Sequence, residues 1–167
     1  NQWNTSNVIS MKAMFYGTKN FNQALNNWNV SNVTNMDHMF YEAKNFNQNI
    51  SSWDISNVIN MVSMFYGTRE FNQNISNWNL ENIEDLNEIF EEAKAFIKKY
   101  NSDKPLPEDT KEIKNWFNLN RERMNMIDIK EKHGKEVDDF FSNITDIHFT
   151  NGIGLHNNIH SLPISIP

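Results

Sequence analysis

The sequence predicts an α/β architecture: a right-handed β/α solenoid of about four 25-residue units, closed by a helical C-terminal cap. Three observations lead there. Side-chain types recur with a period of 25 residues, the apolar spacing switches halfway through each unit, and the composition breaks near residue 80.

The period is the first thing to establish, because a missed repeat miscalls everything built on it. Trp3, Trp28, Trp53 and Trp78 stand 25 apart, and Val8, Val33, Val58 and Ile83 keep the same step. So do Met11, Met36, Met61 and Leu86, then Met14, Met39, Met64 and Ile89. Phe15, Phe40, Phe65 and Phe90 follow, and Phe21, Phe46, Phe71 and Phe96 complete the apolar set. Polar positions recur as well, in Asn7, Asn32, Asn57 and Asn82 and in the pairs Asn22-Gln23, Asn47-Gln48 and Asn72-Gln73. Chance does not produce this over four copies.

Inside a unit, Trp28-Asn29-Val30 and Trp53-Asp54-Ile55 alternate apolar with polar, the period-2 pattern of a short strand. Met36, Met39, Phe40 and Ala43 then fall at i, i+3, i+4 and i+7, one apolar face of a helix of two to three turns. Asn35 and Asn60 precede that face, where an Asn side chain accepts from free N-terminal amides. Each unit therefore reads strand, turn, short helix, turn. A lone unit cannot bury its apolar face, whereas stacked units share one core. Recurrent Asn and Gln then have a structural task. An unpaired buried backbone group costs about 1–3 kcal/mol, and an inward amide at the same place in each coil bonds the backbone of its neighbours. Asn7, Asn32, Asn57, Asn82, Asn22, Asn47, Asn72, Gln23, Gln48 and Gln73 are read as such ladders rather than as ligand contacts.

The units Trp28-Asn-Val-Ser-Asn-Val-Thr-Asn-Met36, Met39-Phe40 and Phe46-Asn47-Gln48 resemble the 25-residue repeats of BspA-like leucine-rich repeat surface proteins, the DUF285 type of bacterial surface proteins and lipoproteins. The resemblance covers residues 1–96 or so. It implies a leucine-rich-repeat-like solenoid, exposed on a bacterial surface or secreted, lipid-anchored in the full-length protein, and used in adhesion or host contact. It carries over no catalytic residue.

The fourth unit departs from the pattern: Glu81, Glu84 and Asp85 enter, and Ile97-Lys98 replaces Asn-Gln. From Asp85 to Tyr100 the apolar positions keep helical spacing, acidic at the start and basic at the end as a helix dipole favours. That predicts a longer closing helix, and residues 1–100 as the repeat domain with an open N-terminal end. Residues 101–108 carry Pro105 and Pro107 and read as a linker. A helix from Asp109 or Thr110 to about Met124 follows, with Ile113, Trp116, Phe117 and Leu119 or Asn120 near one face. A third helix is expected over Glu131–Ser142 and an extended tail from Ile144, making 101–167 a helical cap or appendage.

The composition excludes several functions. There is no Cys, so disulfides, thiolate nucleophiles and Cys-bound metals are out. No run of apolar residues is long enough to span a membrane. A net charge of −6 argues against a nucleic-acid backbone binder. That charge is unevenly placed. Residues 1–80 hold four bases and four acids, and residues 81–167 the other 11 and 17, so two kinds of sequence meet near residue 80. The chain begins at Asn1 without a leader and reads as a piece of something longer.

No catalytic, metal or cofactor site emerges. His156 and His160 are four apart, but no Glu accompanies them and Gly152-Ile-Gly154 precedes them, so a metal-binding helix is not expected. His133 with Glu136, Asp138 and Asp139 reads as a solvated face. Two recurring surface columns remain as the candidate interaction surface: Lys19, Lys44, Arg69 and Lys94, and Tyr16, Tyr41 and Tyr66. The bases are read first as cations at helix C-termini, and the tyrosines as rim packing or as a strip for protein or glycan contact.

The expected function is thus a non-enzymatic repeat protein contacting a protein or extracellular-matrix ligand. The alternatives are a spacer or stalk without a ligand, or an intracellular effector or immunity role for residues 101–167. The open first strand adds an expectation of end-to-end self-association.

Overall fold

The computed structural model of the chain describes residues 3–150. Within the repeats the backbone follows one rule. The amides of Met11, Ala13, Phe15 and Gly17 donate forward to the carbonyls of Asn35, Asp37, Met39 and Tyr41 in the next coil, at 2.7–2.9 Å. The amides that follow Ala13, Phe15 and Gly17, those of Met14, Tyr16 and Thr18, close turns on Met11, Ala13 and Phe15 of their own coil. The alternation repeats in the second coil, with Met36, His38, Phe40 and Glu42 donating to Asn60, Val62, Met64 and Tyr66.

This alternation overturns the β/α solenoid. An α-helix needs every amide to bond back along its own chain, and here every second one leaves for the neighbouring coil. Among the described residues no strand occurs, and the two helices, α1 (Lys94–Asn101) and α2 (Thr110–Thr150), lie beyond residue 93. Coil-to-coil pairing of parallel type is limited to single bridges, Ser10 to Asn35, Asn35 to Asn60 and Asn60 to Asp85. They sit after the Trp-x-Val segment expected to be the strand. That segment is instead pinned by local side-chain turns, as where Asn29 Oδ1 accepts from Ser31 N at 3.0 Å.

The turns demand left-handed backbone at fixed places. Ala13, His38, Ser63 and Glu88 have φ of 50–58°, and Gly17, Glu42, Gly67 and Glu92 have φ of 55–66°. Each stands third in a hydrogen-bonded turn or its equivalent, the position that a type II turn reserves for positive φ. At Gly67 a second reason operates: the Glu42 carboxylate of the preceding coil lies over it, and an added Cβ would stand 2.6 Å from Glu42 Oε1.

The apolar face expected of a helix is nevertheless buried as a set. Met36, Met39, Phe40 and Ala43 have no exposed surface, and neither do Met61, Met64 and Phe65. Phe rings stack along the repeat axis, Phe15 on Phe40 at 5.5 Å, Phe40 on Phe65 at 5.8 Å and Phe65 on Phe90 at 5.6 Å. A second file, Phe21, Phe46, Phe71 and Phe96, stacks beside it at 5.9–6.2 Å. Trp53 and Trp78 pack on Phe40 and Phe65 of the coil before, and the Trp53 indole donates to Leu25 O at 3.1 Å.

The closing elements also differ from expectation. No long helix spans Asp85–Tyr100; residues 85–93 continue the turn pattern, and α1 is eight residues long. Ile113, Phe117 and Met124 of α2 are buried, Phe117 lying 5.8 Å from Phe90, while Leu119 faces out. The chain divides into two units, Asn1–Asp128 and Ile129–Pro167, so residues from 101 to 128 pack with the repeats. The second unit is described only over its share of α2. There His133 leaves helical backbone (φ −124°, ψ 17°) and its Nδ1 lies 3.2 Å from Glu136 Oε2. The stretch is thus two helices meeting at His133, as two were expected, but with no gap between Met124 and Glu131, and Ile144–Thr150, expected extended, is helical. Gly152, Gly154, His156 and His160 lie outside the described residues.

Two substitutions test this account by thermal melting. Phe40→Ala removes a ring with four aromatic neighbours and should cost about 3–5 kcal/mol, well above Phe21→Ala at the half-buried first coil. Gly67→Ala should cost about 1–2 kcal/mol through its left-handed backbone, and an unchanged transition would contradict the turn geometry.

Candidate functional site

The recurring polar side chains run along the surface of the stack and are not turned inward. The Asn32 side-chain amide donates to Ser6 O and that of Asn57 to Ser31 O, both at 2.7 Å, and that of Asn82 to Ser56 O at 3.4 Å. All three residues are exposed, as is Asn7 in the first coil. In the second ladder Asn22 Oδ1 accepts from Asn47 N at 2.9 Å, and Asn47 Oδ1 accepts from Asn72 N at 3.0 Å. Gln48 Nε2 donates to Asn22 Oδ1 and Gln73 Nε2 to Asn47 Oδ1, at 2.9 and 2.8 Å, while Gln23 is exposed in the first coil. Each rung ties one coil to the next.

Where the Asn-Gln pair gives way to Ile97-Lys98, the next two residues take over its bonding. Lys99 Nζ donates to Asn72 O at 3.3 Å, and the Tyr100 hydroxyl lies 3.2 Å from the same atom. That hydroxyl donates to Asp128 Oδ1 at 2.8 Å, and Lys99 Nζ pairs with the same oxygen at 2.7 Å. Tyr100 is fully buried, and its pKa is raised well above the usual range, first by burial and then by the bond to Asp128. This closing cluster carried no sequence signal beyond the loss of the Asn-Gln pair.

The basic column does not mark helix C-termini. Lys94 opens α1, and Lys19, Lys44 and Arg69 lie in no helix. Their carbonyls bridge coils instead: Lys19, Lys44 and Arg69 O accept from Asn45, Glu70 and Ala95 N at 3.0–3.1 Å. Lys44 pairs with Glu42 at 3.3 Å and Lys94 with Glu92 at 3.6 Å. Two residues before Lys19 and Arg69 stand Gly17 and Gly67, and neither base makes an ion pair among the described residues. The charge is therefore uneven along the column.

The tyrosines form a tight file. Tyr16 stacks on Tyr41 at 4.7 Å and 2°, and Tyr41 on Tyr66 at 4.6 Å and 6°. Tyr16 is 53% exposed, and the other two are half-buried. His38 leans on the file, 5.6 Å from Tyr41. No hydrogen bond joins any of the three hydroxyls to another described residue. The file borders the basic column through Glu42, whose charge reaches Tyr41 and Tyr66 while its carboxylate holds Lys44. Partial burial, then Tyr66 and Tyr16, raise the Tyr41 pKa; the nearby Glu91 charge, then burial, raise that of Tyr66. Glu91 stands where a fourth tyrosine would.

Among the described residues no three His, Cys, Asp or Glu side chains converge to hold a metal, and no helix is long and apolar enough to cross a membrane. A family described as Mycoplasma protein of unknown function, DUF285, matches residues 1–103. The chain belongs to the DUF285 family. No curated protein and no solved structure is found to match it. The DUF285 span takes in every coil, both surface columns and α1, and it stops before the linker prolines and α2. Asp128, which closes the Asn-Gln ladder through Lys99 and Tyr100, therefore comes from outside the DUF285 span.

Tyr41, Tyr66 and Tyr100 all hold their protons more tightly folded than unfolded. The stability this brings is present below the ordinary value of about 10 and is lost as pH rises through the raised folded values. An alkaline titration should show their tyrosinate absorbance rising together with unfolding, and Tyr100→Phe should remove the latest part of it. Full ionisation of Tyr41, Tyr66 and Tyr100 near pH 10 with the fold intact would contradict the burial and charges described.

Proposed function

We propose that this DUF285 chain is a non-enzymatic interaction module that contacts a protein or extracellular-matrix ligand through the face formed by Tyr16, Tyr41 and Tyr66 with Lys19, Lys44 and Arg69. The observation that carries the reading is the tyrosine file. Recurrent polar groups on the two Asn ladders bond the neighbouring coil, whereas three tyrosine hydroxyls in register bond nothing among the described residues. Exposed Tyr beside Arg is the composition that protein interfaces favour.

The ring geometry supports a polypeptide ligand over a sugar. A sugar that stacks on an aromatic needs an open ring face, and both faces of Tyr41 are covered by Tyr16 and Tyr66. Along its length the file offers ring edges and a row of hydroxyls, with an open ring face at the Tyr16 end, which suits a polypeptide surface. Exposure of such a module on a bacterial cell surface, or its secretion, with adhesion or host contact as the outcome, belongs to the same proposal.

A capture assay against immobilised extracellular-matrix and serum proteins tests it. A chain carrying Tyr41→Ala, Lys44→Glu and Arg69→Glu should bind its captured partner at least about tenfold more weakly, or ~1.4 kcal/mol, with its melting transition within a few degrees of the parent. Equal binding by the variant would remove this face. Reproducible absence of any capture would favour a spacer.

A further inference from the structure

The closing of the fourth coil is incomplete. In each earlier coil four amides donate forward, and in the fourth their equivalents are Leu86, Glu88, Phe90 and Glu92. The first two find substitutes: Thr110 Oγ1 accepts from Leu86 N at 2.8 Å and Glu108 O from Glu88 N at 2.9 Å. The partners descend along the chain, from residue 110 to residue 108, while in a true coil they ascend, as from Asn35 to Tyr41. The segment thus runs opposite to a coil, and its further bonds, from Thr110 N and Oγ1 to Asn87 Oδ1 at 3.1 Å, do not reach Phe90 or Glu92. The amides of Phe90 and Glu92 have no hydrogen-bond partner among the described residues.

A groove of about 380 Å³ opens where the linker parts from the coil, lined by Phe90 and Glu92 on one side and by Pro105, Leu106 and Pro107 on the other. Its volume is in the range of ligand sites. Its charge is one-sided. Glu88, Glu91, Glu92, Glu108 and Asp103 line it against Lys94 alone, and Lys94 is paired with Glu92. The crowding is felt locally: the Glu91 pKa is raised by partial burial and then by Glu88, Glu108 and Glu92.

We infer that this groove binds an extended basic peptide of another protein, two of whose carbonyls accept from the Phe90 and Glu92 amides while its Lys or Arg side chains pair with Glu88, Glu91 and Glu108. The register is already written in the repeats. Phe15 and Gly17 donate to Met39 and Tyr41, carbonyls two residues apart, and a peptide offering the same spacing completes the edge as strand addition does. Main-chain bonds hold such a peptide in any sequence, and the carboxylates select a cationic one while repelling an acidic one. The site adjoins the Glu91 end of the tyrosine file, but its test uses other substitutions and a backbone readout at Phe90 and Glu92, so the two proposals can fail independently.

The probe is a fluorescein-labelled octapeptide of alternating Lys and Val, titrated into the full chain with a Glu-Val peptide as control. The Lys-Val peptide should saturate, weaken with salt and slow amide exchange at Phe90 and Glu92 by about tenfold or more. Glu91→Lys with Glu108→Lys should weaken it at least about tenfold with the melting transition kept. No saturation below about 1 mM, equal binding of the acidic peptide, or binding that leaves exchange at Phe90 and Glu92 unchanged would each overturn the inference. So would a concentration-dependent dimer that protects those two amides without peptide, since the occupant would then be a second copy.

Discussion

The structure depends on sending alternate backbone amides to two different places. One set closes turns inside a coil, and the other crosses to the next coil. Neither set suffices by itself. The turns need left-handed residues, most of them not Gly, which cost about 1–2 kcal/mol each when nothing holds them. The forward bonds hold them, but only when a neighbour supplies carbonyls at alternate positions. Local conformation and stacking are therefore one cooperative event, as expected of repeats that contact only their neighbours. The side chains inherit the spacing: once carbonyl meets amide from coil to coil, Phe40 comes to rest between Phe15 and Phe65, and Tyr41 between Tyr16 and Tyr66.

The repeat and its buried positions were legible because burial leaves its mark on residue type. Met36, Met39, Phe40 and Ala43 read as one inward face and are one. The backbone beneath them was not legible, since a succession of turns returns to the core with the same three-and-four spacing as a helix. Gly17 and Gly67 were the available signal, because Gly at a fixed place beside an apolar face marks positive φ more often than a helix interior. Ser63, His38 and Glu88 gave none: their left-handed backbone is imposed by the stack and leaves no trace in their chemistry. Trp53-Asp54-Ile55 misled for a related reason. Its alternation of burial is real, but the Asp54 carboxylate accepts from Ser56 N at 3.0 Å and turns the chain; the Ser56 hydroxyl, and then this amide, lower the Asp54 pKa.

Surface polarity in this chain divides by whether the next coil uses it. Asn32, Asn57, Asn47 and Asn72 look like ligand-binding residues in isolation, yet their amides bond the adjacent coil. The acid-and-glycine alternation at positions 17, 42, 67 and 92 does something subtler. Glu42 lies over Gly67 and pairs with Lys44, which leaves Arg69 and Lys19 as the cations of this column without an acidic partner among the described residues. A column that reads as four equivalent bases in sequence therefore presents two neutralised and two open positions. Glu91 ends the tyrosine file with a negative charge at the same level.

The two ends of the tyrosine file consequently face different chemistry. Toward Tyr16 the stack shows rings and apolar surface, with Trp3 and Ile9 each 64% exposed. Toward Glu91 it shows carboxylates, and there the linker has to reverse direction to reach α2. That reversal follows from α1. A helix starting at Lys94 takes the chain out of the coil path nine residues after Asp85, so no fifth set of ascending carbonyls can form. The prolines at 105 and 107 suit this return path because they bring no amide needing a partner. The same helix that closes the Asn-Gln ladder through Lys99 and Tyr100 thereby leaves the Phe90 and Glu92 amides uncovered. Capping one ladder and opening the other are a single geometric act.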